Sequence, residues 1–293
     1  MYAQLVPIIL PVALCTAVGF AWARLKLPMD REFMTRVIMN IGTPCLILQG
    51  IGALPVGDTG FLQMVALGIA VHGGCGICGL AALRAMRLPV RSYLPVLVFG
   101  NSTNMGLPLC MFAFGQEGLG LGVGFVLVGS VGQFVLGPLV QGRVSPWRTL
   151  AQTPVIYAAV FGLTLLLAGV RLPLWAVNTV ALFGGLAIPL MLLALGQALS
   201  TLEVANLRTA AGLAAGRILL GLALAAGLVE ALALEGTVRG VLLIQSAMPV
   251  AVFSYLFAAR YERHPQDAAG AILVSTVASF LTLPALLLFA LAG

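Results

Sequence analysis

Charge is scarce in this sequence and acidic charge scarcest: nine Asp and Glu stand against fifteen Lys and Arg among 293 residues. None of those carboxylates falls deep in an apolar run, which removes the paired aspartates of a pump and leaves no obvious proton or sodium site. There is no H-E-x-x-H, no nucleophile elbow and no P-loop, so primary pumping and most intramembrane hydrolysis lose support. The five cysteines (15, 45, 75, 78 and 110) all lie within apolar segments, where they act as small hydrophobes. His72, Cys75 and Cys78 have the spacing of a metal motif, but Gly73, Gly74, Gly76 and Gly79 between and beside them suit a small-residue packing face. The Gly118, Gly120, Gly122, Gly124 series reads the same way, lacking the Lys of a phosphate loop. No cofactor and no metal are expected.

What the chain has in abundance is apolar surface: 61% of its residues, with a mean hydropathy of +1.09. A span needs about 20 apolar residues, and runs near 4 to 22, 34 to 53, 61 to 82, 92 to 113, 118 to 141, 151 to 169, 174 to 197, 209 to 229, 237 to 258 and 268 to 291 predict ten. The N-terminus reads as a retained helix, since Met1 to Gln4 carries no basic stretch. With ten spans the loops alternate sides. Twelve Lys and Arg then fall on one side, only Arg171 and Arg239 on the other, and Arg217 alone lies within a span. The positive-inside rule makes the rich side cytoplasmic, with both termini extracytoplasmic in the inner or plasma membrane. Basic residues dispersed in short loops form no stripe for nucleic acid.

The halves repeat weakly at a spacing of 145 residues. Ala-Arg-Leu-Lys-Leu-Pro at 23 to 28 aligns with Ala-Gly-Val-Arg-Leu-Pro at 168 to 173, and the segment at 41 to 48 aligns with that at 186 to 193. Five spans is an odd number, so halves of one fold, 1–145 and 146–293, must be inverted relative to each other. Inverted repeats are a transporter architecture, with the site near the midplane where discontinuous helices meet.

Span four reads Gly-Asn-Ser-Thr-Asn-Met-Gly-Leu-Pro, with polar side chains from Asn101 to Asn104 where lipid can least accommodate them. Pro108 donates no hydrogen bond and frees the carbonyl of Asn104, while Gly106 lets the chain unwind. The same spacing links Pro249 to Gln245 and Pro44 to Asn40. Exposed backbone at membrane depth survives only inside protein or along a cavity, so Asn101, Ser102, Asn104, Gly106, Pro108, Gln245 and Pro249 are candidate substrate-binding residues, with Asn40 and Pro44 beside them. The bland alternative is that the amides only satisfy the broken backbone. Arg217 is a further candidate, as an attractor for an anion or as a snorkelling structural cation; its repeat equivalent is His72.

The segment Gly-Asn-Ser-Thr-Asn-Met-Gly-Leu-Pro-Leu resembles the auxin efflux carrier family, the bacterial relatives of plant PIN proteins that include malate and malonate permeases. Ala-Ile-Pro-Leu-Met-Leu-Leu-Ala-Leu-Gly-Gln-Ala-Leu at 187 to 199 looks like its seventh span. Ala-Met-Pro-Val-Ala-Val at 247 to 252, with Ser275, Ser279, Thr282 and Pro284, looks like its ninth and tenth. The resemblance implies an all-α polytopic protein of ten helices in two inverted five-helix repeats. Helices four and nine would be discontinuous and cross at their prolines, a crossing that adds Ser246 to the candidate substrate-binding residues, and a scaffold and a transport bundle would each draw helices from both halves. It implies a secondary transporter of small organic anions, mono- or dicarboxylates, in a lipid bilayer, with a homodimer as the candidate assembly. Two departures stand out: the loop at 142 to 151 is short, and no carboxylate lies at membrane depth. Rival readings are a sodium- or proton-coupled carrier of the bile acid symporter or antiporter type, and a membrane carboxylate sensor.

Overall fold

A computed structural model describes residues 2–55, 59–141 and 153–291. Among them the chain is helical throughout: α1 (Tyr2–Arg24), α2 (Arg31–Val37), α3 (Thr43–Ala53), α4 (Gly60–Ala85), α5 (Val90–Val98), α6 (Leu107–Gln141), α7 (Pro154–Ala168), α8 (Leu174–Thr201), α9 (Leu207–Ala231), α10 (Gly236–Ser246), α11 (Val252–Arg260) and α12 (Pro265–Leu291). Six of the described helical stretches are long and apolar enough to cross a membrane, which makes this a multi-pass membrane protein. The expected boundary between the halves, the short loop at 142 to 151, lies outside the described residues, as do Arg143 and Arg148.

The prolines shape the remaining elements. Ahead of Pro44 the helix widens to a π turn over Ile38–Gly42, closed by a bond from Thr43 N–H to the Ile38 carbonyl. Ahead of Pro108 another π turn spans Ser102–Gly106, closed by Leu107 N–H to Ser102. Each π turn stops two residues short of a proline, so the extra residue per turn accommodates a ring that cannot donate to the helical ladder. Helix α6 is interrupted at Gly115, whose φ of 64° is open to glycine at little cost. The chain reverses there, because a Cβ placed at Gly122 would lie 3.1 Å from Leu107 Cδ2. A straight helix would hold those residues more than about 20 Å apart.

Without water to drive helices together, close approach at small residues holds them. Helix α1 runs along α8, with Gly19 against the Leu193 carbonyl and Gly196 against that of Thr16, so neither position has room for a Cβ. Helix α7 lies along α3. The Gly118 to Gly124 series does serve packing: Gly120 meets Gly50, and Gly124 meets the Phe61 carbonyl. In α4 only half of the expected face does so. Gly74 packs on Leu224 and Gly79 on Leu94 and Leu97, whereas Gly73 and Gly76 face open space.

Candidate functional site

Two broken spans meet at one point. Helix α5 ends at Val98 and α10 at Ser246, and the extended residues beyond them pair as an antiparallel β-bridge between Gly100 and Val250. Asn101 N–H donates to the Pro249 carbonyl at 2.7 Å, and Ala251 N–H to that of Phe99 at 3.1 Å. Each strand of the crossing thus supplies partners for backbone that its own helix cannot satisfy. From α12, Ser275 Oγ accepts from Val250 N–H at 3.0 Å and donates to the Ile272 carbonyl. Ser275 was legible only as part of the resemblance; its role is to pin the second strand.

Most of the candidate residues converge here. Asn101, at 4% exposure, offers its carbonyl to the N–H groups of Met105 and Gly106, leaving its side-chain nitrogen without a partner. The carbonyl of Gln245, four residues before Pro249, accepts from Ser102 Oγ at 3.5 Å and from Met248 N–H at 3.4 Å. The Gln245 side chain is wholly buried, slotted between Gly106 and Gly122 beside Cys110. A Cβ at Gly106 would collide with the Gln245 amide. Ser246 is buried at the end of α10, and its hydroxyl has no partner.

A cavity of about 260 Å³ opens beside this crossing. Its lining is mostly apolar, with Val252 and Phe253 from the first turn of α11, and its polar members are Asn104 from the π turn, Arg31 and Thr35 from α2, Gln197 and Thr201 from α8, and Tyr255 from α11. Both half-helices therefore present their N-terminal turns, the positive ends of their dipoles, to it. Asn101, Pro108, Gln245 and Pro249 shape the crossing without lining the cavity, and so does Gly106. Asn40 is exposed and Pro44 half-buried; their neighbours Ile38 and Met39 reach the cavity instead. Gln197, 6% exposed, was not singled out from the sequence. The available signal was a lone amide in the apolar run Leu-Leu-Ala-Leu-Gly-Gln-Ala-Leu.

Arg217 and His72 come to the other side of the crossing. The His72 ring packs on Phe125 and Phe99, with centroids 4.8 and 6.1 Å away, and its Nδ1 lies 2.8 Å from the Gly68 carbonyl. The Arg217 side chain lies against Gly100 and reaches Cys75 Sγ at 3.8 Å. Neither lines the cavity at Asn104. No group of three His, Cys, Asp or Glu suited to a metal occurs among the described residues.

A second cavity of about 360 Å³ lies among α3, α7 and α8, with Gln49, Gln116 and Arg171 as its polar members. Gln49 Nε2 donates to Gln116 Oε1 at 3.4 Å.

A sequence profile described as membrane transport protein matches residues 141–287, half of the chain. The chain belongs to this family, that of the auxin efflux carriers. It is also similar to an uncharacterized transporter of Methanocaldococcus jannaschii, 23% identical over 270 residues covering 86% of this chain and 87% of that one. An uncharacterized transporter of Methanothermobacter thermautotrophicus is 25% identical over 269 residues, covering 87% of each. Family membership makes the crossing part of a transport protein and not of an enzyme.

Proposed function

We propose that this protein is a secondary transporter that carries a small organic anion, such as a mono- or dicarboxylate, by alternating access past the crossing of its two broken helices. The observation that carries the reading is the cavity at Asn104. Two half-helix N-termini, each worth about half a positive charge, face a largely apolar space in which Thr35 of α2 and Gln197 and Thr201 of α8 supply an amide and hydroxyl groups. Two such ends match the charge of one carboxylate, and the uncharged amides orient it by hydrogen bonds. Arg217, set behind the crossing, adds positive potential without reaching the cavity.

The packing favours ten spans in two inverted halves. The contact of α1 with α8 has a counterpart in that of α7 with α3, the contact of α4 with α6 in that of α9 with α12, and α5 touches α9 as α10 touches α4. On this reading α1, α2, α3, α7 and α8 form the scaffold, and the helices around the crossing form the transport bundle. The cavity lies between them with Arg31 in its lining, and the charge rule puts Arg31 on the cytoplasmic side, with both termini outside. The Gln49–Gln116 bond also joins α3 of this scaffold to α6 of the transport bundle. At an inside-negative potential of about 150 mV, expelling a monoanion gains roughly 3.5 kcal/mol, enough to drive efflux without a coupled ion.

Thermal unfolding of the purified protein across a carboxylate library tests the binding step. A true substrate at about 100 times its Kd adds about 2.7 kcal/mol to stability, read as a rise of several degrees that Asn104→Ala abolishes. A library without a stabilising carboxylate contradicts the reading.

A further inference from the structure

Arg217 is 1% exposed in the middle of α9, and neither its Nε nor one of its terminal nitrogens has a hydrogen-bond partner. Its bond to Cys75 Sγ, at 3.8 Å, is weak. The ion pairs found among the described residues, Arg36–Glu32 and His264–Asp267, do not involve it. An unpaired guanidinium is a costly thing to bury, so its surroundings must offer negative potential of another kind.

They do so through the backbone. A Cβ at Gly100, two residues past the end of α5, would lie 3.2 Å from both Cζ and Nε of Arg217 and closer still to Nη2. A Cβ at Gly221, one turn along α9, would lie 3.0 Å from Nη1 and collide with the Ser246 carbonyl at the end of α10. Two glycines thus make room for the guanidinium between the C-terminal ends of both half-helices. Each such end leaves carbonyls without helical partners and carries about half a negative charge, so the pair amounts to roughly one. Half-helix C-termini of this kind are where transporters of inverted-repeat design hold a sodium ion or a proton.

We propose that Arg217 is the resident cation of the crossing: its fixed charge stands where a coupling cation would bind, and replacing it with a small neutral residue opens a site for a monovalent cation. The wild-type crossing then holds its geometry in the absence of any particular cation, and Arg217 is a positioning residue that does not touch substrate. Gly100 and Gly221 are required because a side chain at either would displace the guanidinium.

The test reads stability and needs no substrate, so it stands or falls apart from the assignment of an organic anion. Wild-type protein, Arg217→Ser and Arg217→Lys, purified at full length, are unfolded thermally in choline, sodium, lithium and potassium chloride at equal ionic strength. The wild type and Arg217→Lys should melt at the same temperature in every salt. Arg217→Ser should melt several degrees lower in choline and regain most of the loss, saturably, in sodium or lithium. The inference is overturned by an Arg217→Ser protein as stable as wild type in choline, by one that no cation restores, or by saturable cation stabilisation of the wild type. Should Arg217→Ser yield no folded protein, Arg217→Lys against Arg217→Met decides: a folded Lys variant with a lost Met variant supports the charge, and equal loss of both overturns it.

Discussion

At the scale of single residues, the crossing depends on side chains that are absent as much as on those present. Gly106 leaves the slot for the Gln245 amide, so Gly106→Ala overpacks a fully buried contact at a cost of about 1 to 3 kcal/mol. Transport should fall below a tenth of wild type while the protein still reaches the membrane; unchanged uptake would mean that the slot has slack. Ser102→Ala removes the hydroxyl that covers the Gln245 carbonyl and should lower the melting temperature by an amount equivalent to about 1 kcal/mol. Asn101, Asn104 and Gln245 were legible in the sequence because an amide inside an apolar run, near a proline, has few structural excuses. Asn40 obeyed the same rule and yet faces outward. The rule locates a free carbonyl along the chain, whereas Asn40 sits within the π turn at Ile38–Gly42, whose extra residue per turn changes the direction of its side chains about the helix axis, and no short sequence pattern encodes that change. Gln197 escaped for the converse reason: no proline flags it, and its meaning comes from the π turn on the opposite wall of the cavity.

At the scale of elements, the breaks account for which spans are easy to see. Helices α1, α4, α8, α9 and α12 are uninterrupted and long, so hydropathy finds them. Span nine is split into pieces of 11 and 9 residues, α10 and α11, too short for any window and recognisable only through Pro249 and its flanking amide. The π turns and the reversal at Gly115 could be placed near Pro44, Pro108 and a glycine-rich stretch, but their register is decided by packing. Tyr93 donates from its hydroxyl to Asp267 Oδ2 at 2.7 Å, tying α5 to α12 within the proposed transport bundle. If the bundle moves as a unit, Tyr93→Phe should lower stability by roughly 1 kcal/mol and leave substrate affinity unchanged; a shifted KM would show that the bundle flexes. If access alternates by movement of α6 against α3, as proposed, the Gln49–Gln116 bond must break. Bonds of this kind between membrane helices average about 0.6 kcal/mol, so Gln116→Ala should shift the balance of inward and outward states about threefold, measured by cysteine accessibility on the two sides. No shift would remove the latch.

For the whole molecule, the weak repeat and the odd number of spans per half pointed to inversion, and the proposal of two inverted halves draws its support from the paired contacts between helices. Helices α1 and α8 are held by close backbone approach, Gly19 and Gly196 each meeting a carbonyl of the partner helix. Gly196→Leu should therefore prevent folding altogether, with protein lost from the membrane fraction, whereas Gly212→Leu, at a position with open space around it, should be tolerated. The crossing has its helix N-termini toward the cavity and its C-termini toward Arg217, so that position in the fold, and not a cluster of acids, sets its electrostatic character. The most direct test of anion transport is uptake into proteoliposomes of a panel of radiolabelled mono- and dicarboxylates, measured for wild type and for Asn104→Ala. Saturable uptake of at least one carboxylate, reduced at least tenfold in the variant, is the predicted result; no specific uptake of any, or full activity in Asn104→Ala, would contradict it.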